Sequence, residues 1–303
     1  MSAGAIMLRS RFADLFASRL AFLDEIMQGN FDAPSLIYPR IFNVRNSSRA
    51  YEEITGITGF GEFSTKTEAG GISYDTLLQG YDKRFTHVTY AKGFQISFEA
   101  ADDDIDGALQ SAGPPLARAA QVSIERYIWA VLNGGWATTT TPDGSYLFAS
   151  SHPLVGGGTA SNLVSGDLSV ANLETAINSF DSMVDDRNMP IEGNPAILLI
   201  PTGLRWIAHE ILKSELRSNT SDNATNAFSP LGVEIVMSKY LTDDDSWIVA
   251  SPPAQHRVLV YWRQQPVTDH TIDFDTGNLK SKMTYRLSAG AADWRNVVGG
   301  LGA

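Results

Sequence analysis

Between Ser10 and Met27 the apolar residues Phe12, Phe16, Leu20, Leu23 and Met27 recur at helical spacing, with Asp14, Arg19 and Glu25 on the other faces. The spacing predicts an amphipathic helix, either a docking helix in an N-terminal arm or an ordinary piece of core. From Tyr51 to Glu99 the pattern changes to short β-prone pieces rich in Gly and Thr. They turn at Gly70-Gly71 and end in strict alternation of Phe94, Ile96 and Phe98 against Gln95, Ser97 and Glu99. That predicts a long β-hairpin arm with few strongly apolar positions, which needs another surface to lie on. Pro114-Pro115 then opens a predicted helix with Leu116, Ala120, Ile124, Tyr127 and Val131 on one face, stopped by Gly134-Gly135. A second helix is predicted from Ser169 to Asp186 on Leu173, Ile177, Phe180 and Val184, and a buried strand from Pro195 to Ile200. A third helix, capped by Thr202, carries Leu204, Ile207 and Ile211. With further strands at Val233 to Met237, Trp247 to Ala250 and Val258 to Trp262, the second half reads as a mixed α+β domain.

Composition narrows the function classes. With 303 residues, 43% of them apolar and 19% charged, the chain can bury a sizeable core. It has no cysteine, so disulfides, thiolate metal sites and cysteine nucleophiles are excluded, and stability must come from burial or from neighbours. Arg9, Arg11, Asp14 and Arg19 interrupt any signal-peptide core, and no run approaches the roughly twenty apolar residues of a membrane span. A net charge of −11 has the wrong sign for gripping a nucleic-acid backbone.

Candidate chemistry concentrates in residues 143–162. Gly156-Gly157-Gly158 resembles a phosphate loop but has no lysine and no helix directly behind it, so a flexible loop tolerating positive φ is the reading. Ser150 and Ser151 neighbour His152, yet adjacent side chains on an extended strand point to opposite faces. Asp102, Asp104, Asp106 and Gly107 repeat the first half of a calcium loop, but Gly113 stands where the bidentate glutamate belongs. His209 has no second histidine at ligand spacing. Asp243-Asp244-Asp245 and Asp273 with Asp275 sit in turn-like contexts, where short carboxylates bond their own backbone. The six tryptophans are too dispersed for one platform and read as core or interface anchors.

Asp143-Gly144 running into Leu147-Phe148, Ser151-His152-Pro153 and Ser161-Asn162 resembles the Mu-like prophage major head subunit family among the major capsid proteins of tailed bacteriophages. Ile200-Pro201 with Leu204, Ala208 to Leu212, Leu216, and Ser221-Asp222-Asn223 before Asn226-Ala227 is similar to the same group. So are Asp273 to Asn278, the strand Lys282 to Leu287, and Trp294-Arg295. The resemblance implies the α+β fold of tailed-phage major capsid proteins. Its expected parts are an N-terminal arm (1–50), an E-loop hairpin with its base (51–95), a P-domain from 96–155 and 263–288 with a spine helix at 114–133, and an A-domain from 156–262 and 289–303. It implies self-assembly into the pentamers and hexamers of an icosahedral shell around double-stranded DNA, with scaffolding, portal and decoration proteins as partners. Such a subunit is made in the host cytoplasm and ends in the virion, with no catalysis, cofactor, metal or membrane. Phe12, Phe16, Leu20, Phe60, Phe63, Ile72 and Tyr74 are the expected inter-subunit contacts. An encapsulin-like compartment shell is the structural alternative. A serine hydrolase using Ser150 or Ser151 with a distant His and Asp is the alternative from another class.

Overall fold

The computed structural model describes residues 36–97, 108–214 and 226–302. The predicted N-terminal helix with Phe12, Phe16 and Leu20, the Asp102 to Gly107 pattern and the Ser221-Asp222-Asn223 motif lie outside the described residues. After a 3-10 turn at Tyr38–Arg40 the elements are β1 (Asn43–Asn46), β2 (Tyr51–Ile57), β3 (Gln79–Thr86), β4 (Val88–Ile96), α1 (Ala108–Asn133), β5 (His152–Pro153), β6 (Thr159–Ala160), β7 (Leu163–Ser165) and α2 (Val170–Asp181). They continue with β8 (Ile197–Ile200), α3 (Arg205–Lys213), β9 (Glu234–Met237), β10 (Trp247–Ala250), β11 (Val258–Ile272), β12 (Leu279–Ala291) and β13 (Val297–Leu301). Two compact units divide them. The first holds His87–Glu125 and Arg263–Leu287, the second Ile37–Thr86, Arg126–Trp262 and Ser288–Ala303.

In the first unit β4 runs antiparallel to β12, from Val88 opposite Leu287 to Ile96 opposite Leu279. The alternation of Phe94 and Ile96 is real, with both half-buried, but their strand pairs with β12 and is not part of the hairpin. A period-two pattern sets which face is apolar and leaves the partner strand open. Tyr90 stacks on Tyr285 with ring centroids 5.2 Å apart. Helix α1 buries Leu116, Ala117, Ala120 and Ile124 here. It begins at Ala108, six residues before the predicted start, so Pro114 and Pro115 lie inside it. Two prolines without N–H remove the rungs to the carbonyls of residues 110 and 111, and the helix continues across that gap.

In the second unit a five-stranded sheet has the order β7-β13-β10-β8-β9. β10 is antiparallel to β13 and β8, while β9 and β7 run parallel to β8 and β13 at the two edges. All four residues of β8 and of β10 are buried, as continuous apolar runs with both faces covered require. α2 packs on β7 and β13, and α3 on β9. The core between them includes Leu173, Phe180, Leu198, Ile211, Trp247 and Val298, each large apolar side chain contributing about 1.5–3 kcal/mol on burial. Ser169 caps α2 by accepting from the Asn172 N–H at 3.2 Å. That helix ends at Asp181, short of the predicted Asp186, because the chain then turns back with the Asp185 N–H donating to the Met189 carbonyl at 2.8 Å. α3 begins at Arg205 with no side-chain cap, so Thr202 is not its cap. The buried stripe is Leu204, Ala208, Ile211 and Leu212, and Ile207 faces solvent. β13 carries Gly299-Gly300 because its neighbours leave no room for more. A Cβ on Gly300 would lie 2.1 Å from the Trp247 ring, and one on Gly299 2.5 Å from the Phe148 ring.

Candidate functional site

The most exposed apolar surface in the second unit is an arm rising from β2 and β3. These strands pair antiparallel from Tyr51 opposite Thr86 to Ile57 opposite Gln79, with a bulge between Thr55 and Ile57. Thr58 closes the ladder, since its N–H and Oγ1 donate to the Leu78 carbonyl and Oγ1 accepts from the Leu78 N–H, all within 3.0–3.1 Å. Beyond it, residues 59–78 form no strand. They turn at Thr67 to Gly70, where the Gly70 N–H donates to the Thr67 carbonyl and Ala69 takes φ 61°. The reversal therefore comes slightly before Gly70-Gly71. Phe63 and Tyr74 project wholly into solvent, and Phe60, Ile72 and Leu77 are more than half exposed or close to it. The four predicted contact residues within the described chain thus share one arm and bury little against their own subunit.

The arm is fastened at its root. Asp75 accepts from the Gly61 N–H at 2.9 Å and the Thr76 N–H at 2.7 Å, and Arg187 Nη1 donates to both of its oxygens at 3.1 Å. Arg187 Nη2 also donates to the Thr76 carbonyl. The Gly61 N–H, the Thr76 N–H and then the guanidinium hold the Asp75 carboxyl below the usual carboxylate range. Arg187 is presented by the turn after α2, in which Asp185 Oδ1 accepts from the Arg187 and Met189 N–H groups at 2.7 and 2.9 Å and Asn188 adopts φ 61°. On β3, Lys83 Nζ donates to the Thr140 carbonyl at 2.6 Å, and burial lowers its pKa. Sequence reasoning missed Asp75 and Arg187. The run Asp185-Asp186-Arg187-Asn188 signals a polar turn, but nothing in the sequence pairs it with a residue 112 positions earlier.

The stretch singled out for chemistry proves architectural. His152 is fully buried, with Nδ1 2.7 Å from Asp143 Oδ2 and Nε2 3.0 Å from Asn162 Oδ1. Its ring stacks on Trp294 at 4.4 Å. Asn162 Nδ2 donates to the carbonyls of Leu147, Trp294 and Val297 at 2.7–3.3 Å, joining three chain segments around that ring. Burial pushes the Asp143 carboxyl up. Hydrogen bonds from His152, Thr141 and the Ser145 N–H outweigh it, leaving the group below its ordinary value. Ser150 and Ser151 are exposed. Both ring nitrogens of His152 face Asp143 and Asn162, so this histidine is not placed as a base for the neighbouring serines. Gly157 and Gly158 take φ 96° and 92°, and a Cβ on Gly156 would lie 2.4 Å from the Asp186 carbonyl, so the glycines shape a turn packed on the Arg187 loop.

A groove of about 370 Å³ beside the arm's root is lined by Ile54, Thr58, Asp143, Asp185, Arg257 and Trp294 among others, with no serine or histidine in its wall. Among the described residues no group of His, Cys, Asp and Glu is arranged to hold a metal. Asp243 and Asp273 accept from backbone N–H groups of their own turns, at 3.1 Å from Asp245 and 3.1 Å from Asp275. His209 is exposed, as is Trp206, while Trp129, Trp247, Trp262 and Trp294 are buried.

A family model described as phage capsid protein matches residues 80–299. The chain belongs to the phage capsid protein family. This capsid protein is similar in fold to the capsid of cyanophage P-SCSP1u, at 12% identity over 89% of this chain and 88% of that one, with a TM-score of 0.59. It also resembles the capsid of bacteriophage JBD30 decorated with minor capsid protein trimers, at 15% identity over 78% and 100% of the two chains and a TM-score of 0.57. Mycobacterium phage Patience gives 12% identity over 100% of this chain and 90% of the other, with a TM-score of 0.54. No curated protein matches the sequence. The α+β architecture is therefore the tailed-phage capsid fold, and the protein is a major capsid protein, a structural component of the virion shell with no enzymatic role. No helix among the described residues is long and apolar enough to cross a membrane.

Proposed function

We propose that this capsid protein builds an icosahedral shell of pentamers and hexamers around double-stranded DNA, and that the 58–78 arm is laid on a neighbouring copy. The observation that carries the reading is the row Phe60, Phe63, Ile72 and Tyr74, which stands in solvent on a segment with no core of its own. Exposed apolar surface of this kind finds burial in an interface, and an ordinary one covers about 1,200–2,000 Å² in total. Phe12, Phe16 and Leu20 are proposed to add a second contact through the N-terminal arm. The net charge of −11 suits a container whose wall does not hold its DNA. Scaffolding and portal proteins are proposed as assembly partners, and a decoration protein on the analogy of the minor capsid protein trimers on the JBD30 capsid. The Asp143 to Asn162 motif supports placing the subunit with the Mu-like head proteins.

The test is electron microscopy and sedimentation of the purified chain beside a variant lacking Glu62 to Tyr74. The deletion is conservative because Asp75 already bonds the Gly61 N–H, so a short Gly-Ser link rejoins the ends. The full chain is expected to form rings or shells, and the deletion variant to stay a folded, unassembled subunit. Normal shells from the variant would overturn the reading, and shells that take up protein cargo with no DNA would point to the compartment alternative.

A further inference from the structure

We propose that Arg187 and Asp75 form a clamp that aims the arm, making Arg187 a positioning residue for assembly although it belongs to none of the apolar surface that assembly would bury. The proposal rests on the reading of the arm as an inter-subunit contact. A single carboxylate here ties three pieces of chain. Asp75 sits on the returning limb, takes the Gly61 N–H from the outgoing limb at 2.9 Å, and takes Nη1 of Arg187 from the body of the second unit on both oxygens at 3.1 Å. Arg187 Nη2 reaches the adjacent Thr76 carbonyl, so the guanidinium engages both a side chain and the backbone of that limb. A planar fork held at several points fixes direction as well as distance, which a point charge does not.

The body side of the clamp is itself stiff. The turn carrying Arg187 is held by Asp185 Oδ1 and by the left-handed Asn188. Its neighbour Asp186 accepts from Arg295 Nη2 at 3.0 Å, and the Gly156 N–H donates to the Asp186 carbonyl at 2.7 Å. The arm side is clamped at Gly61 and Asp75-Thr76, immediately before the exposed segment that carries Phe63, Ile72 and Tyr74. Without this contact, residues 59–78 keep no hydrogen bond or ion pair to the body among the described residues beyond the two-stranded β2–β3 ribbon. The clamp thus removes orientational freedom before a neighbour arrives, and preorganisation of that kind raises the yield of productive encounters.

The chain's lack of cysteine permits a direct measurement. Spin labels at Lys66→Cys on the arm and Glu210→Cys on α3 report the arm's direction in the unassembled subunit by pulsed electron resonance. The parent is expected to give one narrow distance distribution. Arg187→Met should broaden it about two-fold or more and slow shell formation about five-fold or more at equal concentration, with unchanged circular dichroism. The exchanged pair Asp75→Arg with Arg187→Asp should restore much of the narrowness but not all, because an arginine at 75 cannot accept the Gly61 N–H. Arg187→Lys should fall between. A distribution that stays narrow in Arg187→Met overturns the clamp, and a broadened one with unchanged assembly overturns its role in assembly. The deletion of Glu62 to Tyr74 separates the two ideas. If that variant assembles normally, the interface reading fails, while the distance measurement still judges the clamp.

Discussion

His256 is 2% exposed, donates from Nε2 to the Ile41 carbonyl at 2.7 Å and accepts at Nδ1 from the Val258 N–H at 3.2 Å, which fixes the neutral ring. Burial, only partly offset by the bond to Ile41, lowers its pKa from 6.5 to about 4. The unfolded chain therefore takes up this proton first as the pH falls. The ring's contribution to stability is intact above 6.5 and is lost progressively between 6.5 and 4, at about 1.4 kcal/mol per pH unit. Urea unfolding of the unassembled subunit at pH 7 and pH 5 should show the parent losing about 2 kcal/mol more than His256→Asn. Equal losses would mean that the folded chain takes up the His256 proton as readily as the unfolded one. The residues at 143–162 show how much of a site is legible at this scale. The missing lysine and the Ser-His adjacency argue against phosphate and acyl chemistry, and the structure gives this stretch an architectural place. What Asp143, His152 and Asn162 do was not legible, because their partners Leu147, Trp294 and Val297 include two met more than 130 residues later.

Elements were legible where the local signal was also the deciding one. Gly134-Gly135 ends α1, whose Ala130 carbonyl accepts from the Gly134 N–H at 2.9 Å, and the apolar runs of β8 and β10 became fully buried strands. Elements set by packing were misjudged or missed. Ile207 fits a helical stripe as well as Ala208 does, and only the position of the sheet puts Ala208 inside. The sequence pattern takes β11 as far as Trp262, where its five buried residues end. It continues to Ile272 with alternating exposure, through a stretch whose Gln, Asp and His residues weaken the strand signal. β13 was hidden by its own glycines, which are poor strand formers and are required by the rings above them. Gly300→Ala, pressed against Trp247, should cost about 3 kcal/mol in urea unfolding, whereas Gly71→Ala, with nothing within 4 Å of the added methyl, should be nearly neutral. Similar values for both would show that β13 has more room than this packing allows.

At the scale of the whole molecule, the proposed contact predicts that an arm with little burial of its own gains stability when a copy covers it. Amide hydrogen exchange followed by mass spectrometry should find residues 62–74 among the fastest in the unassembled subunit and protected at least about ten-fold in shells. Equal exchange in both would place the interface elsewhere. The two units also interleave along the chain, with β11 and β12 each passing from one into the other. β4 finds its partner only in residues 279–287, and β1 lies parallel on Leu259 to Trp262. A ribosome that has not yet translated Leu279 therefore carries β4 without β12, and pairings so distant in sequence close slowly. If the arm docks on a copy as proposed, a half-made polypeptide on a crowded polysome has no finished body from which to extend it, and incomplete copies are expected to stay out of the lattice.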